Sequence, residues 1–243
     1  MALDWNECLM KSPHELVISG PKHAKQLEEE KGLNETVFRI YSLNFLEVSK
    51  TSLNVLSPKI KQLENLTALM LYDNKLTLIP KEIGCLKKLK TLDLSNNKID
   101  NLPEELSQLT DLQSHNIIKN NISHLPKDLS KCNKLIVVKI SHNKFQEFPV
   151  SLCNPALSQH LTEIHATDNE ILNLPIWPIL CSSIYQLISL LNLSPRLPIG
   201  QIRRLSLLRS AATPRWWWCE SRLLTSNRWR RGRAAWGGTW WWG

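Results

Sequence analysis

The stretch LKTLDLSNNKIDNLP at residues 89–103 decides the fold, because closely related stretches precede and follow it. The related stretches are LTALMLYDNKLTLIP at 66–80, LQSHNIIKNNISHLP at 112–126, LIVVKISHNKFQEFP at 135–149 and LTEIHATDNEILNLP at 161–175. Each of them ends in proline and carries apolar residues at corresponding positions. Five copies in register indicate that this part of the chain is built from one small unit that repeats.

One asparagine recurs in every copy, and the spacing between these asparagines gives the repeat period. These asparagines are Asn74, Asn97, Asn120, Asn143 and Asn169, so the first four follow one another at a constant interval and the fifth follows after a longer one. The three extra residues of the last interval fall within CNPALSQH at 153–160. The pattern LxxLxLxxNxLxxLPxxL is that of leucine-rich repeats. It predicts an α/β solenoid with short parallel strands on its concave side and short helical or irregular segments on its convex side.

The residue types of the repeat have physical causes. Alternate side chains of a strand face opposite ways, so two residues of each copy point into the core. The predicted inward pairs are Leu69/Leu71, Leu92/Leu94, His115/Ile117, Val138/Ile140 and Ile164/Ala166. We expect the asparagine to bond backbone groups at the turn, and the proline to fix φ where the chain crosses to the convex side. One copy cannot cover its own apolar face, so the copies must stack.

A degenerate copy precedes the five regular ones. In LNFLEVSKTSLNVLSPKI at 43–60, Thr51 takes the asparagine position and Ser57 takes the proline position. The repeat decays after Pro175, although a half copy is recognisable further on. We therefore expect the solenoid to extend over residues 37–194.

The residues before the repeats predict a helical N-terminal cap. SPHE at 12–15 is typical of a capping box with proline at the first helical position, so we expect a helix that ends at Gly20. KHAKQLEEEK at 22–31 predicts a second helix that ends at Gly32. A helical pair over residues 1–36 would cover the open end of the solenoid.

Strand positions that point away from the core form the concave surface, in three rows. The first row is Ala68, Thr91, Ser114, Val137 and Glu163; the middle row is Met70, Asp93, Asn116, Lys139 and His165; the third row is Tyr72, Ser95, Ile118, Ser141 and Thr167. We expect a protein partner to bind through Met70, Tyr72, Asp93, Asn116, Ile118, Lys139, Glu163 and His165. Apolar anchors among mixed charges suit a protein, whereas a phosphate backbone favours clustered lysine and arginine. The alternative interpretation is a merely solvated sheet face.

The sequence contains no pattern that predicts catalysis, a metal site or a cofactor. Glu163 and His165 share a face, as do His142 and Asp168, but such pairs are frequent on polar sheets. A glycine-rich phosphate loop, an HExxH motif and a nucleophile elbow are all missing from the sequence. His115 stands at a core position, where we expect a tolerated residue at the edge of the core rather than a ligand. We therefore predict a protein that is not an enzyme and has no small-molecule substrate.

The formal net charge of +8 belongs to the C-terminal segment alone. Residues 1–194 carry 20 basic and 21 acidic side chains, a net charge of −1. Residues 195–243 carry ten arginines and one acidic residue, a net charge of +9, and eight tryptophans lie in 216–243. This composition supports no helical or strand period, so we expect a disordered or mistranslated tail. An alternative is an Arg/Trp-rich segment that binds a membrane surface or nucleic-acid bases.

Segments around the repeats resemble the leucine-rich repeat-containing protein 47 family. The resemblance lies in HELVISGPKHAKQLEEE at 14–30, FLEVS at 45–49, Lys131-Cys132 and ATDNEIL at 166–172, and it covers residues 12–175. The resemblance implies that a full-length member has an N-terminal repeat domain and then a second domain. That second domain is similar to the tRNA-editing-type domain of the phenylalanyl-tRNA synthetase beta chain. The resemblance implies an RNA- or translation-linked setting and a truncated member with an aberrant C-terminal tail, because no residue of the second domain is found here.

These patterns favour a non-catalytic module that binds a protein partner. The alternative from the resemblance is an RNA-binding or translation-linked fragment of a synthetase-like protein. The start of the sequence has no basic region followed by an apolar one, so we expect the protein in the cytoplasm, with the nucleus as the second location. We expect no association with membranes.

Overall fold

The computed structural model describes residues 4–154, 157 and 160–171. The predicted tail at 195–243 lies outside the described residues, as do Pro175 and the predicted end of the solenoid at 194. Within the described residues the chain winds into stacked coils that share one parallel sheet, so the prediction of a leucine-rich-repeat solenoid is confirmed.

Seven parallel strands form the concave side, and each strand pairs with the next one along the chain. They are β1 (Glu15–Ser19), β2 (Phe45–Ser49), β3 (Ala68–Met70), β4 (Thr91–Asp93), β5 (Ser114–Asn116), β6 (Val137–Lys139) and β7 (Glu163–His165). From β2 to β6 the paired residues are one repeat period apart, as Leu69 and Leu92 show. The repeat period of the sequence therefore sets the register in which these strands pair.

The convex side is built from short 3₁₀ helices. They are η1 (Glu35–Arg39), η2 (Pro58–Gln62), η3 (Lys81–Cys85), η4 (Glu104–Gln108), η5 (Leu129–Lys131) and η6 (Val150–Cys153). Pro80 and Pro103 precede two of these helices with φ near −67° and ψ of 144°. Ser57 adopts almost the same angles, −66° and 139°, and its hydroxyl accepts a hydrogen bond from the N–H of Lys59. The degenerate copy thus follows the path of the regular ones.

Aliphatic side chains from the sheet and from the convex helices fill the space between them. All ten predicted inward residues are at most 2% exposed, which confirms the alternation read from the sequence. On the convex side Ile83 and Leu86 are fully buried. Because side chains of every coil belong to the same core cluster, neighbouring coils cover one another's apolar faces.

Asparagine side chains hold successive coils together where the sheet ends. Asn97 Oδ1 accepts a hydrogen bond from the N–H of Leu76 in the preceding coil at 3.0 Å. Its Nδ2 donates to the carbonyls of Leu71 and Leu94 at 2.9 Å. Equivalent bonds join the preceding coils to Asn74, Asn120, Asn143 and Asn169. In the degenerate copy the Thr51 hydroxyl donates to Asn74 Oδ1 at 2.9 Å.

A residue in the left-handed region precedes each of these turn positions. These residues are Lys50, Asp73, Asn96, Lys119, His142 and Asp168, with φ between 53° and 56°. Asparagine and aspartate tolerate this conformation better than other residues with a side chain. Lys50 and Lys119 at two of the six positions therefore indicate local strain.

The N-terminal cap differs from its prediction at the first helix. Residues Glu15–Ser19 form strand β1, whereas the first helix, α1, is Trp5–Lys11. Ser12 ends that helix with a φ of 41° instead of starting a new one. The prediction was wrong because Leu16 and Ile18 share one face of β1 and bury it beside β2, while Glu15 and Val17 face outward.

The second predicted helix is confirmed as α2, Pro21–Glu29. Gly32, with a φ of 142°, follows the end of this helix, and its N–H donates to the carbonyl of Leu27 at 2.8 Å. Trp5 of the first helix donates from its indole N–H to Glu30 at 2.8 Å, which ties the two helices together. No helix of the described residues has both the length and the apolar character to cross a lipid bilayer.

His115 lies in the middle of the core and not at its edge, so the prediction for this residue was wrong. Its side chain is completely buried, and neither ring nitrogen has a hydrogen-bond partner. Burial lowers the pKa of His115 to about 4, although the backbone of Leu92 and the charge of Asp93 act in the opposite direction. The imidazole is therefore neutral in the folded protein at neutral pH.

Candidate functional site

The candidate site is the concave face of the sheet, where parallel pairing aligns the outward side chains. Met70 pairs with Asp93, Asp93 with Asn116, Asn116 with Lys139, and Lys139 with His165. Each of these five side chains is half-buried. Tyr72, Ile118 and Glu163 are half-buried as well. The structure therefore brings all eight residues proposed from the sequence onto one continuous surface.

The register also extends the rows into two strands that the regular repeats do not cover. Glu47 and Val17 continue the middle row, and Phe45 and Glu15 continue the first row. Sequence reasoning missed them as site residues because β1 and β2 lie before the first regular copy. Counting one repeat period back from Met70 reaches Glu47, so a signal existed for β2. No such signal existed for β1, whose offset from β2 is longer than the repeat period, as the pairing of Glu15 with Phe45 shows.

Glu47 organises the polar contacts at the N-terminal end of the face. Its Oε1 accepts hydrogen bonds from the hydroxyls of Tyr72 at 2.7 Å and Ser49 at 2.8 Å. The Ser49 hydroxyl acts to lower the pKa of Tyr72, but the Glu47 carboxylate, partial burial and the charge of Asp73 raise it overall. Tyr72 therefore presents its ring to the face with its hydroxyl held in place.

Asp93 organises the centre of the face in a similar way. Its Oδ1 accepts from the N–H of Ser95 at 2.9 Å and from the Ser95 hydroxyl at 2.6 Å. Its Oδ2 accepts from the side-chain amide of Asn116 at 2.9 Å. Asn116 in turn accepts from the N–H of Ile118 at 3.2 Å. These bonds fix the rotamers of two candidate residues before any partner binds.

The C-terminal end of the face carries two histidine–carboxylate pairs and one lysine. His165 Nε2 contacts Glu163 Oε1 within strand β7, and His142 Nε2 lies 3.4 Å from Asp168 Oδ2 at the neighbouring turns. Lys139 lies between Asn116 and His165 in the middle row of the sheet. This end of the surface is polar, whereas the N-terminal end is richer in apolar side chains.

Among the residues that the structure describes, the concave face offers a curved surface with fixed polar groups. In the described part of the chain, no three histidine, cysteine or acidic side chains come together as ligands for a metal ion. Cys132 packs in the core, where burial raises the pKa of its thiol to about 11. What the face can do chemically is contact another surface through apolar groups, carboxylates, amides and one ammonium group.

Comparisons with known proteins agree with the fold. The leucine-rich repeat family model matches residues 41–99 and 64–117. The structure of a leucine-rich-repeat protein of Leptospira interrogans is similar with a TM-score of 0.61 at 26% identity, over 79% of this chain and 54% of that chain. An internalin of Listeria monocytogenes is similar with a TM-score of 0.52 at 18% identity, over 66% of this chain and 43% of that chain.

The chain thus spans about half the length of these two relatives. None of the curated proteins gives a significant sequence match.

Proposed function

We propose that this leucine-rich-repeat solenoid is a non-catalytic module that binds a protein partner through its concave sheet. The observation that carries the proposal is the continuous concave surface, on which half-buried apolar side chains lie among polar ones whose rotamers are fixed. Met70, Tyr72 and Ile118 provide the apolar contacts. Stacked repeats characteristically use such curved faces to bind other macromolecules.

The charge of the face supports a protein partner over RNA. Among the outward positions of the seven strands, Lys139 alone is a lysine or arginine, while Glu15, Glu47, Asp93 and Glu163 are acidic. Binding to a phosphate backbone depends on several cationic side chains that replace counterions. The RNA-linked alternative therefore rests on the resemblance to the leucine-rich repeat-containing protein 47 family, and residues 4–171 of this chain give it no cationic surface on the sheet.

A non-enzymatic role agrees with the chemistry of the face. His165 and Glu163 are a contacting pair, but both lie half-exposed on the open sheet face and not in a cleft. A cytoplasmic or nuclear location is part of the proposal. Cys8, Cys85 and Cys132 are thiols, which suits a reducing compartment.

Charge reversal on opposite faces of the solenoid tests the proposal. Lys139→Glu changes the concave face, and the matched control Lys131→Glu makes the same change on an exposed residue of the convex helix η5. Both variants and the original chain would be used as baits in quantitative affinity capture from cells. We expect the concave variant to lose a protein that the control retains. Equal recovery with both variants, or a loss confined to the convex one, would contradict the proposal.

A further inference from the structure

The N-terminal end of the concave face carries a contiguous apolar patch, which we call the N-terminal patch: Val17, Phe45, Ala68, Met70 and Tyr72. Val17, on the edge strand β1, is 53% exposed. Phe45 and Met70 are half-buried on the strands that follow. Contiguous apolar surface of this kind on a soluble protein typically marks a binding site.

Two carboxylates flank the centre of this patch. In the middle row Glu47 pairs with Met70 on one side, and Asp93 pairs with Met70 on the other. Adjacent strands lie about 4.8 Å apart, so the Cα atoms of Glu47 and Asp93 are separated by roughly 10 Å across the sheet, with Met70 between them.

Neutral donors hold both carboxylates, and neither forms an ion pair within the described residues. Glu47 accepts from the hydroxyls of Tyr72 and Ser49, and Asp93 accepts from Ser95 and Asn116. The ion pairs of residues 4–171 involve other acidic side chains: Glu7, Glu35, Asp111, Asp128, Glu163 and Asp168. No outward position of β1 to β5 is a lysine or arginine. The patch is therefore apolar with a negative charge that the sheet itself does not balance.

From this juxtaposition we infer that the N-terminal patch binds a protein segment in which an apolar side chain is flanked by lysine or arginine. The apolar side chain packs on Met70 and on its diagonal neighbour Phe45, and the cationic groups reach Glu47 and Asp93. Complementary charge of this kind steers association and fixes the register of the bound segment. The inference rests on the proposed function, since it assigns the chemistry of the partner for the same face.

Selection from a random peptide library displayed on phage, with the full chain as the target, tests the inference. We expect the selected peptides to contain lysine or arginine on both sides of an aliphatic or aromatic residue. A synthetic peptide of the most enriched sequence is then titrated against the double variant Glu47→Gln/Asp93→Asn, which removes two charges and preserves the shapes. We expect its affinity to fall about tenfold or more, with a weaker dependence on salt.

The matched control is Glu64→Gln/Glu147→Gln, which removes two charges from exposed positions outside the concave rows. This control should bind the peptide as the original chain does, and equal thermal melting of all chains shows that folding is intact. Equal affinity for both double variants would overturn the inference.

A third variant, Met70→Ser, separates this inference from the proposed function. Enriched peptides that lack basic residues, and whose binding is lost in Met70→Ser, would overturn the assigned charge while they support a concave binding site. Enriched peptides that bind Met70→Ser and both double variants equally would overturn the inference and count against the concave site as well.

Discussion

Gly84 lies so close to Glu105 in the next coil that a Cβ atom at residue 84 would be 2.5 Å from the carbonyl oxygen of Glu105. It would also be 2.9 Å from the Cβ atom of Glu105. These contacts are shorter than van der Waals separation, and a backbone atom cannot move aside as the end of a side chain can. The spacing between η3 and η4 therefore depends on a glycine at this position.

The variant Gly84→Ala should destabilise the fold by about 1–3 kcal/mol, because the two convex helices must separate to admit the methyl group. Chemical denaturation monitored by circular dichroism measures this change. Ser130 occupies the same position two coils later and already carries a Cβ atom, so Ser130→Ala is the matched control and should change stability little. Stabilisation by Gly84→Ala, as expected at an unconstrained glycine, would contradict the close packing of the coils.

The asparagine at the turn should contribute strongly to stability. Asn97→Ala leaves the buried N–H of Leu76 without a partner, which costs about 1–3 kcal/mol. The carbonyls of Leu71 and Leu94 lose one donor each but keep the side-chain amides of Asn74 and Asn120. We expect the free energy of unfolding, measured in denaturant, to fall by roughly 1–3 kcal/mol. Asn101→Ala, at an exposed position of the same copy, should have a small effect and serves as the control. A loss in Asn97→Ala no larger than in this control would be incompatible with the asparagine bonds described above.

In the third regular copy a lysine occupies the position with left-handed backbone conformation, which lysine adopts less readily than asparagine. Lys119 has a φ of 56°, whereas the corresponding residue of the preceding copy is Asn96. Lys119→Asn should stabilise the protein by about 0.5–1 kcal/mol, because asparagine adopts this conformation at a lower free-energy cost. Lys144→Asn removes the same charge from an exposed residue without a positive φ and should not stabilise. Thermal melts of the two variants compare them, and equal changes would contradict the assignment of strain.

His115 makes the stability of the folded chain depend on pH. Its pKa is about 4 in the folded protein and near 6.5 when unfolded, so the unfolded state binds more protons over this interval. The free energy of unfolding therefore reaches its full value at a pH above the unfolded pKa of His115. It falls as the pH drops from about 6.5 towards 4. Between pH 7.5 and pH 5 we expect this one residue to cost roughly 2 kcal/mol.

The variant His115→Leu isolates this effect. It removes two unpaired buried nitrogens and restores the residue type of Leu92 in the preceding coil, so it should be more stable at both pH values. The gain over the original chain should be larger at the lower pH. A gain that is the same at both values would mean that His115 is solvated or paired in solution.

The regular copies could be predicted from the sequence because the repeat period is itself the register of the sheet. The positions of Leu69, Asn97 and Lys139 follow from that period alone. Strand β1 could not be predicted in this way, because its offset from β2 departs from the period and SPHE at 12–15 also satisfies the rules for a helix start. Long-range pairing with β2 overrode the local helix signal.

The same distinction between regular copies and preceding strands applies to the residues of the candidate site. The eight residues taken from the regular copies lie together on the concave face, whereas Val17, Phe45 and Glu47 were recognised only from the paired strands. The burial of His115 also depended on the structure, since the sequence shows a polar residue at a core position but not whether the core opens there to water.

Site-specific photocrosslinking tests the concave binding site most directly. A photoreactive amino acid would replace Asn116 in the centre of the concave face or, as control, the exposed Gln108 of the convex helix η4. After irradiation in cells, we expect one discrete crosslinked protein from position 116 and none from position 108. Discrete crosslinks from position 108 with none from position 116 would contradict a function carried by the concave sheet.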